Sequence, residues 1–302
     1  MIRSTAALVV SGVLVAALTG CGGGPSQPGA AVIVGSTAVS LSDTQQRIDV
    51  ALAKPGLIDQ LRLQGNEPAD ISREVVTRAV QHVLLAEAAR REGIGIRDDQ
   101  VDAELTREGG VDELVDATIY DRVTVREAVR DQLISQALAR KLLTRVAVTV
   151  DVTSAISQQD AVAKARQMAA GPAQAAAVLA ADPRAKRGQQ LRASLNPQLA
   201  ASILFGTPAG SVVAVQTSPA PDGWTVLRVT ARSTTAPPVG GPGAVSQLDD
   251  ATLDDIGRRF TQPLAGELGV RVNPRYGTWD PLRLIVLGPG MSAGLVLPAV
   301  LS

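Results

Sequence analysis

Few side chains in this chain could do chemistry, and they stand far apart. Cys21 is the only cysteine and His82 the only histidine in 302 residues. A lone thiol can be acylated or act as a nucleophile, but it closes no intramolecular disulfide. A lone histidine with no second histidine or cysteine beside it makes no transition-metal site of the usual kind. His82 falls on the helical stripe of Val76, Val80 and Val83 and reads as a partly buried or surface residue. A Ser-His-Asp set would need His82, and no serine is marked as its partner. Asp249-Asp250 and Asp254-Asp255 sit in the first turns of a predicted helix, where the positive end of the helix dipole explains them. No loop of oxygen ligands follows them, so calcium is not indicated. Gly240-Gly241-Pro242-Gly243 neither follows a strand nor opens a helix, which leaves nucleotide binding without support. The expectation is no cofactor and no metal. With 29 basic residues against 29 acidic ones, nucleic acid is not an expected partner either.

The elements around Cys21 give its thiol a role. An apolar stretch from Ala6 to Ala17 follows a single positive charge at Arg3, the pattern of a secretory signal peptide. The ending Leu18-Thr19-Gly20-Cys21 resembles the lipobox of bacterial lipoproteins. That resemblance implies removal of residues 1–20 and a diacylglyceryl group on the Cys21 sulfur. The protein would then lie outside the cytoplasm, anchored by lipid to the outer face of the cytoplasmic membrane. Two acyl chains, each methylene contributing ~0.8 kcal/mol, suffice for stable attachment. Residues 21–30, rich in Gly, Pro and Ser, read as a flexible tether.

Beyond the tether the chain is long enough for two or three domains with cores of their own. Aromatic residues are few (Tyr120, Phe205, Trp224, Phe260, Tyr276 and Trp279), so Val, Leu, Ile and Ala must fill the core. Ligands recognised by stacking on rings are disfavoured. Only Lys54, Lys141, Lys164 and Lys186 are lysines, a bias that points to a GC-rich genome. Val32 and Val34, then Gly35-Ser36-Thr37, then Val39 and Leu41 predict a short hairpin. Ser42-Asp43-Thr44-Gln45 predicts a capping box for a helix that ends near Pro55-Gly56. Asp70 is the expected N-cap of a helix with the stripe Val76, Val80, Val83 and Leu84, closed by Arg90-Arg91 and Gly93. A helix over Asp98–Glu108 and a longer one capped at Thr124 complete a helical module over residues 31–145.

This arrangement resembles the N-terminal domain of SurA-type envelope chaperones. The most specific piece is Gly93-Ile94 through Val101-Asp102, a β-segment running into an acidic, capped helix. Residues 146–233 are similar to a parvulin prolyl isomerase domain. The order is a strand at Ala147–Val150, Ala-rich helix to Ala181, a helix from Asn196-Pro197 to Gly206, then strands Val212–Gln216 and Trp224–Thr230 joined as a hairpin. The departures weigh more than the matches. Parvulins carry two histidines on neighbouring strands, a Cys or Asp nearby and an aromatic wall. Here the matching positions read Thr149, Thr225 and Leu199, with Leu204 beside them. The resemblance therefore implies a degenerate isomerase pocket without catalytic residues.

Residues 234–247 read as a linker. Residues 248–302 begin with a helix over Leu248–Leu268, which the resemblance implies returns to complete the helical module. A strand-like run at Leu282–Leu287 follows. The apolar tail Met291–Leu301, cut off by Gly288-Pro289-Gly290, is too short for the ~20 residues of a membrane span. It reads as a packed strand or an unstructured end. The expected fold is α+β, mostly α: a helical SurA-like module with an inserted parvulin-like domain. The resemblance implies a membrane-tethered holdase that binds unfolded or extended polypeptides through apolar grooves between those two parts. An active parvulin-type isomerase and a structural lipoprotein docking a fixed envelope partner are the alternatives.

Because thioether attachment needs the sulfur, Cys21→Ser is expected to leave the protein without diacylglycerol by mass spectrometry and outside the membrane fraction. Lipid on the Cys21→Ser protein would refute the anchor.

Overall fold

The computed structural model describes residues 29–301 apart from residues 64, 66, 219, 221–222 and 241–242. The Leu18-Thr19-Gly20-Cys21 motif and most of the tether lie outside the described residues. The fold is α+β, with close to half of the described residues helical and three antiparallel sheets.

The N-terminal hairpin is β1 (Ala30–Val34) and β2 (Thr37–Ser40), and every residue of β1 is buried. Helix α1 (Leu41–Leu52) is capped by Ser40, whose Oγ accepts from the Asp43 amide at 3.3 Å. The expected Ser42 box is thus two residues late. Pro55 opens a second helix, α2 (Pro55–Leu63). In α3 (Pro68–Glu92), Asp70 is the third helical residue, not the N-cap; its carboxylate accepts the Glu67 amide at 2.7 Å. Gly93, at φ 63°, ends α3 in the left-handed conformation that glycine adopts without cost. Helices α4 (Asp98–Arg107), α5 (Val111–Ala117) and α6 (Thr124–Leu142) follow. Asp121, not Thr124, caps α6: its Oδ1 accepts the Val123 and Thr124 amides at 2.9 and 2.7 Å.

The middle of the chain runs β3 (Ala147–Ala155), α7 (Gln158–Ala170), α8 (Pro172–Ala181), β4 (Lys186–Arg192), α9 (Pro197–Ala200), α10 (Ile203–Gly206), β5 (Ser211–Gln216) and β6 (Trp224–Ser233). Strand β3 is more than twice the expected length. The predicted helix from Pro197 to Gly206 is two short pieces that part at Ala201 and Ser202, and the Asn196 side chain donates to the Arg192 carbonyl at 2.9 Å instead of capping the first.

After α11 (Gly243–Ser246), the expected long helix over 248–268 is α12 (Asp250–Phe260) and α13 (Gln262–Leu268). The break falls at Thr261, ahead of Pro263, whose ring removes a helical N–H. The chain ends in β7 (Val270–Val272), β8 (Thr278–Asp280), β9 (Ile285–Leu287) and β10 (Gly294–Pro298). The sheets are ordered β2-β1-β7, β10-β5-β6-β3-β4 and β8-β9. The apolar tail is therefore a packed edge strand. The stretch read as a linker is pinned: Val239 N donates to Thr144 O at 3.1 Å and Ser194 Oγ to Val239 O at 2.6 Å.

Two contacts close the molecule. Strand β7 pairs with β1, Val32 opposite Val272 and Val34 opposite Val270. Helix α12 crosses α6 and buries Leu253, Ile256 and Phe260. One core cluster then runs from Val32, Val76 and Leu138 through Val148, Val150 and Val229 to Phe205 and Ile256. The helical part and the five-stranded sheet thus share one continuous core, with β3 following buried Leu143 and Val146 without a spacer.

The α6–α12 crossing depends on Gly257. A β-carbon there would stand 1.8 Å from the Ser135 carbonyl oxygen, whereas one at Gly266 in α13 would meet nothing within 4 Å. Gly257→Ala is expected to lower stability by about 3 kcal/mol. Gly266→Ala should raise it by up to about 1 kcal/mol through helix propensity. Urea unfolding of the two variants checks both signs.

Candidate functional site

The five-stranded sheet has two faces with different covers. On one, Ala155, Val212, Ala214 and Val226 pack under α7 and α8 against Ala161, Ala165 and Met168. On the other, a row of opposed residues crosses four strands: Val296 beside Val213, Val213 beside Leu227, and Leu227 beside Val152. Leu282, 2% exposed, sits on this row together with Ile203 and Leu204. A chain segment from beyond the sheet thus covers the face.

Leu282 is held there by two charged groups. Asp280 accepts the Leu282 and Arg283 amides on Oδ1, at 2.8 and 2.9 Å, and the Ala293 amide on Oδ2 at 2.8 Å. Arg259 donates to the carbonyls of Leu282 and Ala201, at 2.8 and 2.9 Å, and to Gln262 Oε1. Burial pulls the Arg259 guanidinium down to about 10, with the carboxylates of Asp255 and Asp280 opposing the shift. It stays charged at neutral pH, and its charge is spent on carbonyl dipoles.

The residues expected to form the degenerate pocket do not gather at one point. Leu204 lies beside Leu282, against the row. Thr225 is one row along the same face, opposite Ser154, with its Oγ1 3.0 Å from Thr217 Oγ1. Leu199 is an exposed residue of α9. Thr149 pairs with Ala231 and Gln190, at the other end of β3. Five residues separate it from Ser154, about 17 Å of extended strand. Sequence reasoning missed Leu282, Asp280 and Arg259; the turn-forming Asp280-Pro281 pair was the available signal.

An open, largely apolar cleft of about 350 Å³ lies between α3 and the β8–β9 hairpin, lined by Leu61, Ile71, Ile119, Ile285, Leu287 and Met291; a second, of about 540 Å³, lies beside Val34, Val83, Ala86 and Leu268. The wall of the first cleft is fixed to α3: Val286 N donates to Thr77 Oγ1 at 2.8 Å, and Gln81 Nε2 donates to Leu284 O at 3.0 Å. Asp70, Arg73 and Glu74 stand at its edge, with Arg73 paired to Asp70 at 2.6 Å. Met291 is 61% exposed. The Glu67 amide and the Arg73 guanidinium, both bonded to Asp70, hold its carboxyl below the usual carboxylate range. Among the described residues no group of three His, Cys, Asp or Glu could hold a metal ion. Nor is any helix there long and apolar enough to cross a membrane.

His82 lies in a small polar crevice. Its Nδ1 is 3.0 Å from both oxygens of buried Asp131 on α6, next to the Arg47–Glu127 pair. The hydrogen bond to Asp131 raises the imidazole above its ordinary 6.5, against the cost of burial. The charged pair therefore adds stability that is complete below the unfolded value of 6.5 and is lost as pH rises through the higher folded value. His82→Gln is expected to lower the melting temperature more at pH 5.5 than at pH 8.5. An equal loss at both would show that the pair does not titrate in this range.

No protein-family model matches the chain, and no curated protein matches it. One solved chain that aligns is described under the virulence factor PEB4 and the periplasmic protein Cj1289, two structurally related SurA-like chaperones in the human pathogen Campylobacter jejuni. It matches at 10% identity and a TM-score of 0.25, with 82% of this chain and 100% of that one covered.

Proposed function

We propose that this protein is a lipid-tethered, extracytoplasmic chaperone of the holdase kind, which binds unfolded or extended polypeptides without isomerising prolyl bonds. The observation that carries this reading is the cleft between α3 and β9: open, apolar and about 350 Å³, room for a few side chains of an extended segment. Exposed Met291 at its edge suits varied clients, because an unbranched thioether adapts to many shapes. The charged side chains of Asp70, Arg73 and Glu74 beside it keep such a surface soluble. Anchorage at Cys21, through the Leu18-Thr19-Gly20 motif, would hold the cleft near polypeptides as they leave the membrane.

The chemistry argues against an isomerase. The barrier to amide rotation is ~18–20 kcal/mol, and every ~1.4 kcal/mol of lost stabilisation slows the reaction tenfold. The candidate pocket offers Val152, Val213 and Leu227 under Leu282, and the single histidine is elsewhere, on α3.

Two assays on one sample test the proposal. The wild-type protein should suppress aggregation of a chemically denatured reporter and leave proline-limited refolding unaccelerated. Leu61→Asp combined with Met291→Asp places charge in the cleft on side chains that are not deeply buried. It should weaken client binding by about tenfold or more, the equivalent of one buried aliphatic side chain. A wild-type protein that gives no protection would refute the holdase reading. Clear isomerase turnover would replace it with the enzyme.

A further inference from the structure

The last strand of the chain stands where a bound peptide would. β10 follows β9, which belongs to another sheet, yet it crosses over to pair along the outer edge of β5. Five antiparallel register pairs run from Gly294 opposite Val215 to Pro298 opposite Ser211. Its side chains alternate: Leu295 and Leu297 turn towards α7, while Val296 joins the row beneath Leu282. Past the strand, Ala299 N donates to Gly210 O at 2.7 Å and Val300 N to Ala169 O at 3.1 Å. Buried Arg228 donates from Nη2 to Val300 O at 2.8 Å, lies 3.6 Å from Asp151, and has no partner for its Nε.

These are the contacts by which a protein recognises an extended chain of no fixed sequence. A sheet edge reads the backbone, a buried guanidinium reads a carbonyl, and two apolar surfaces accept alternate side chains. We propose that the β5 edge, Arg228 and the Val152–Leu227–Val213 row form an acceptor site for an extended polypeptide segment with alternating apolar residues. The chain's own Leu282 and residues 293–300 fill it in cis. Exposed Pro289 and Gly290 join the part that lines the α3–β9 cleft to the part that fills the site. The site takes the same class of ligand as the proposed holdase cleft but is a different surface, so each can fail without the other. A tethered occupant acts at an effective concentration in the millimolar range. A free segment therefore binds with its affinity reduced by the fraction of molecules in which the strap is displaced.

Gly294 couples the two halves of the strap. A β-carbon there would lie 2.2 Å from Ala214 O on β5 and 3.0 Å from Leu282 Cδ1. Gly294→Ala must therefore push β10 off its edge. The opposite change is Val213→Cys with Val296→Cys, in a Cys21→Ser background. These positions face each other across the ladder, at a Cα separation of about 4.5–5.5 Å that a disulfide spans. The probe is a fluorescein-labelled peptide with the sequence of residues 292–299, followed by anisotropy on the whole chain. Gly294→Ala should bind it about tenfold or more tightly than wild type, as expected when the displaced fraction rises by that factor. The oxidised cysteine pair should not bind it, and reduction should restore wild-type binding. Binding by the oxidised pair equal to that of the reduced pair would overturn the proposal. So would a natively folded Gly294→Ala, judged by near-UV circular dichroism, that binds no better than wild type. If Gly294→Ala does not fold, the oxidised and reduced forms compared at high peptide concentration decide alone.

Discussion

Ser135 and Gly257 set the distance at which α6 and α12 cross, and the rest of the fold depends on that approach. With the Ser135 carbonyl lying against a residue that has no side chain, Leu253, Ile256 and Phe260 reach the core shared with Val76, Val80 and Leu138. The same approach delivers β7 to β1, where Asn273 reaches back 243 residues to the Ala30 carbonyl. Closing so long a loop costs little more than closing a shorter one, since each doubling of length adds only about 0.6 kcal/mol. Fully burying one aliphatic side chain contributes about 1.5–3 kcal/mol, so a few core residues in α12 offset the closure. The chain can thus close a loop of more than 230 residues between β1 and β7 without an intramolecular disulfide.

Arginine does the stitching that lysine could not. Arg192, Arg228, Arg232 and Arg259 each donate to backbone carbonyls of a distant segment: Thr144 and Pro237, Val300, Phe205, and Ala201 with Leu282. A planar guanidinium with five donors can serve several carbonyls at once, and it gives up less hydration than an ammonium. Burial brings Arg232 and Arg259 down to about 10, so both remain cations at neutral pH. Desolvating such a charge is tolerable only where dipoles converge on it. That requirement fixes α9, α10, the tail and the stretch after β6 against the sheet. An arginine bias that composition alone assigns to the genome here has a structural use.

What the sequence made legible was local. Gly93 after Arg90-Arg91, the stripe of α3 and the hairpin around Gly35 follow from spacing, because each depends on neighbours within a few residues. Caps were legible as types but misplaced. Ser40 and Asp121 do the work expected of Ser42 and Thr124, since several polar side chains compete for the same free amides. Strand β4, Lys-Arg-Gly-Gln-Gln-Leu-Arg, has no apolar alternation and was invisible; as an edge strand it is exposed, and its charges discourage further pairing. The site was least legible. Thr149 and Thr225 were paired by analogy of position, whereas the register puts Ser154 opposite Thr225. Asp280-Pro281 signals a turn just before residue 282, but not that the Leu282 side chain will cover Val213 and Leu227.

The C-terminal region shows how one apolar stretch can serve two surfaces. Leu282 to Leu287 and Leu295 to Leu297 are both rich in branched aliphatic residues, and joined without a break they would form a long segment prone to pair with other chains. Gly288-Pro289-Gly290 divides them, since proline offers no donor to a ladder and glycine weakens a strand. The first half pairs with β8 and becomes a wall of the cleft against α3; the second crosses to β5 and shields its edge. Leu282 covers the sheet face because Asp280 turns the chain inward just before it, and Leu284, at φ 58°, turns it back out. A non-glycine residue holds that conformation only where its surroundings enforce it. Here they do so through the Gln81 bond to its carbonyl and the burial of its side chain. The turn that fills one apolar surface is therefore the same one that aligns the wall of the other.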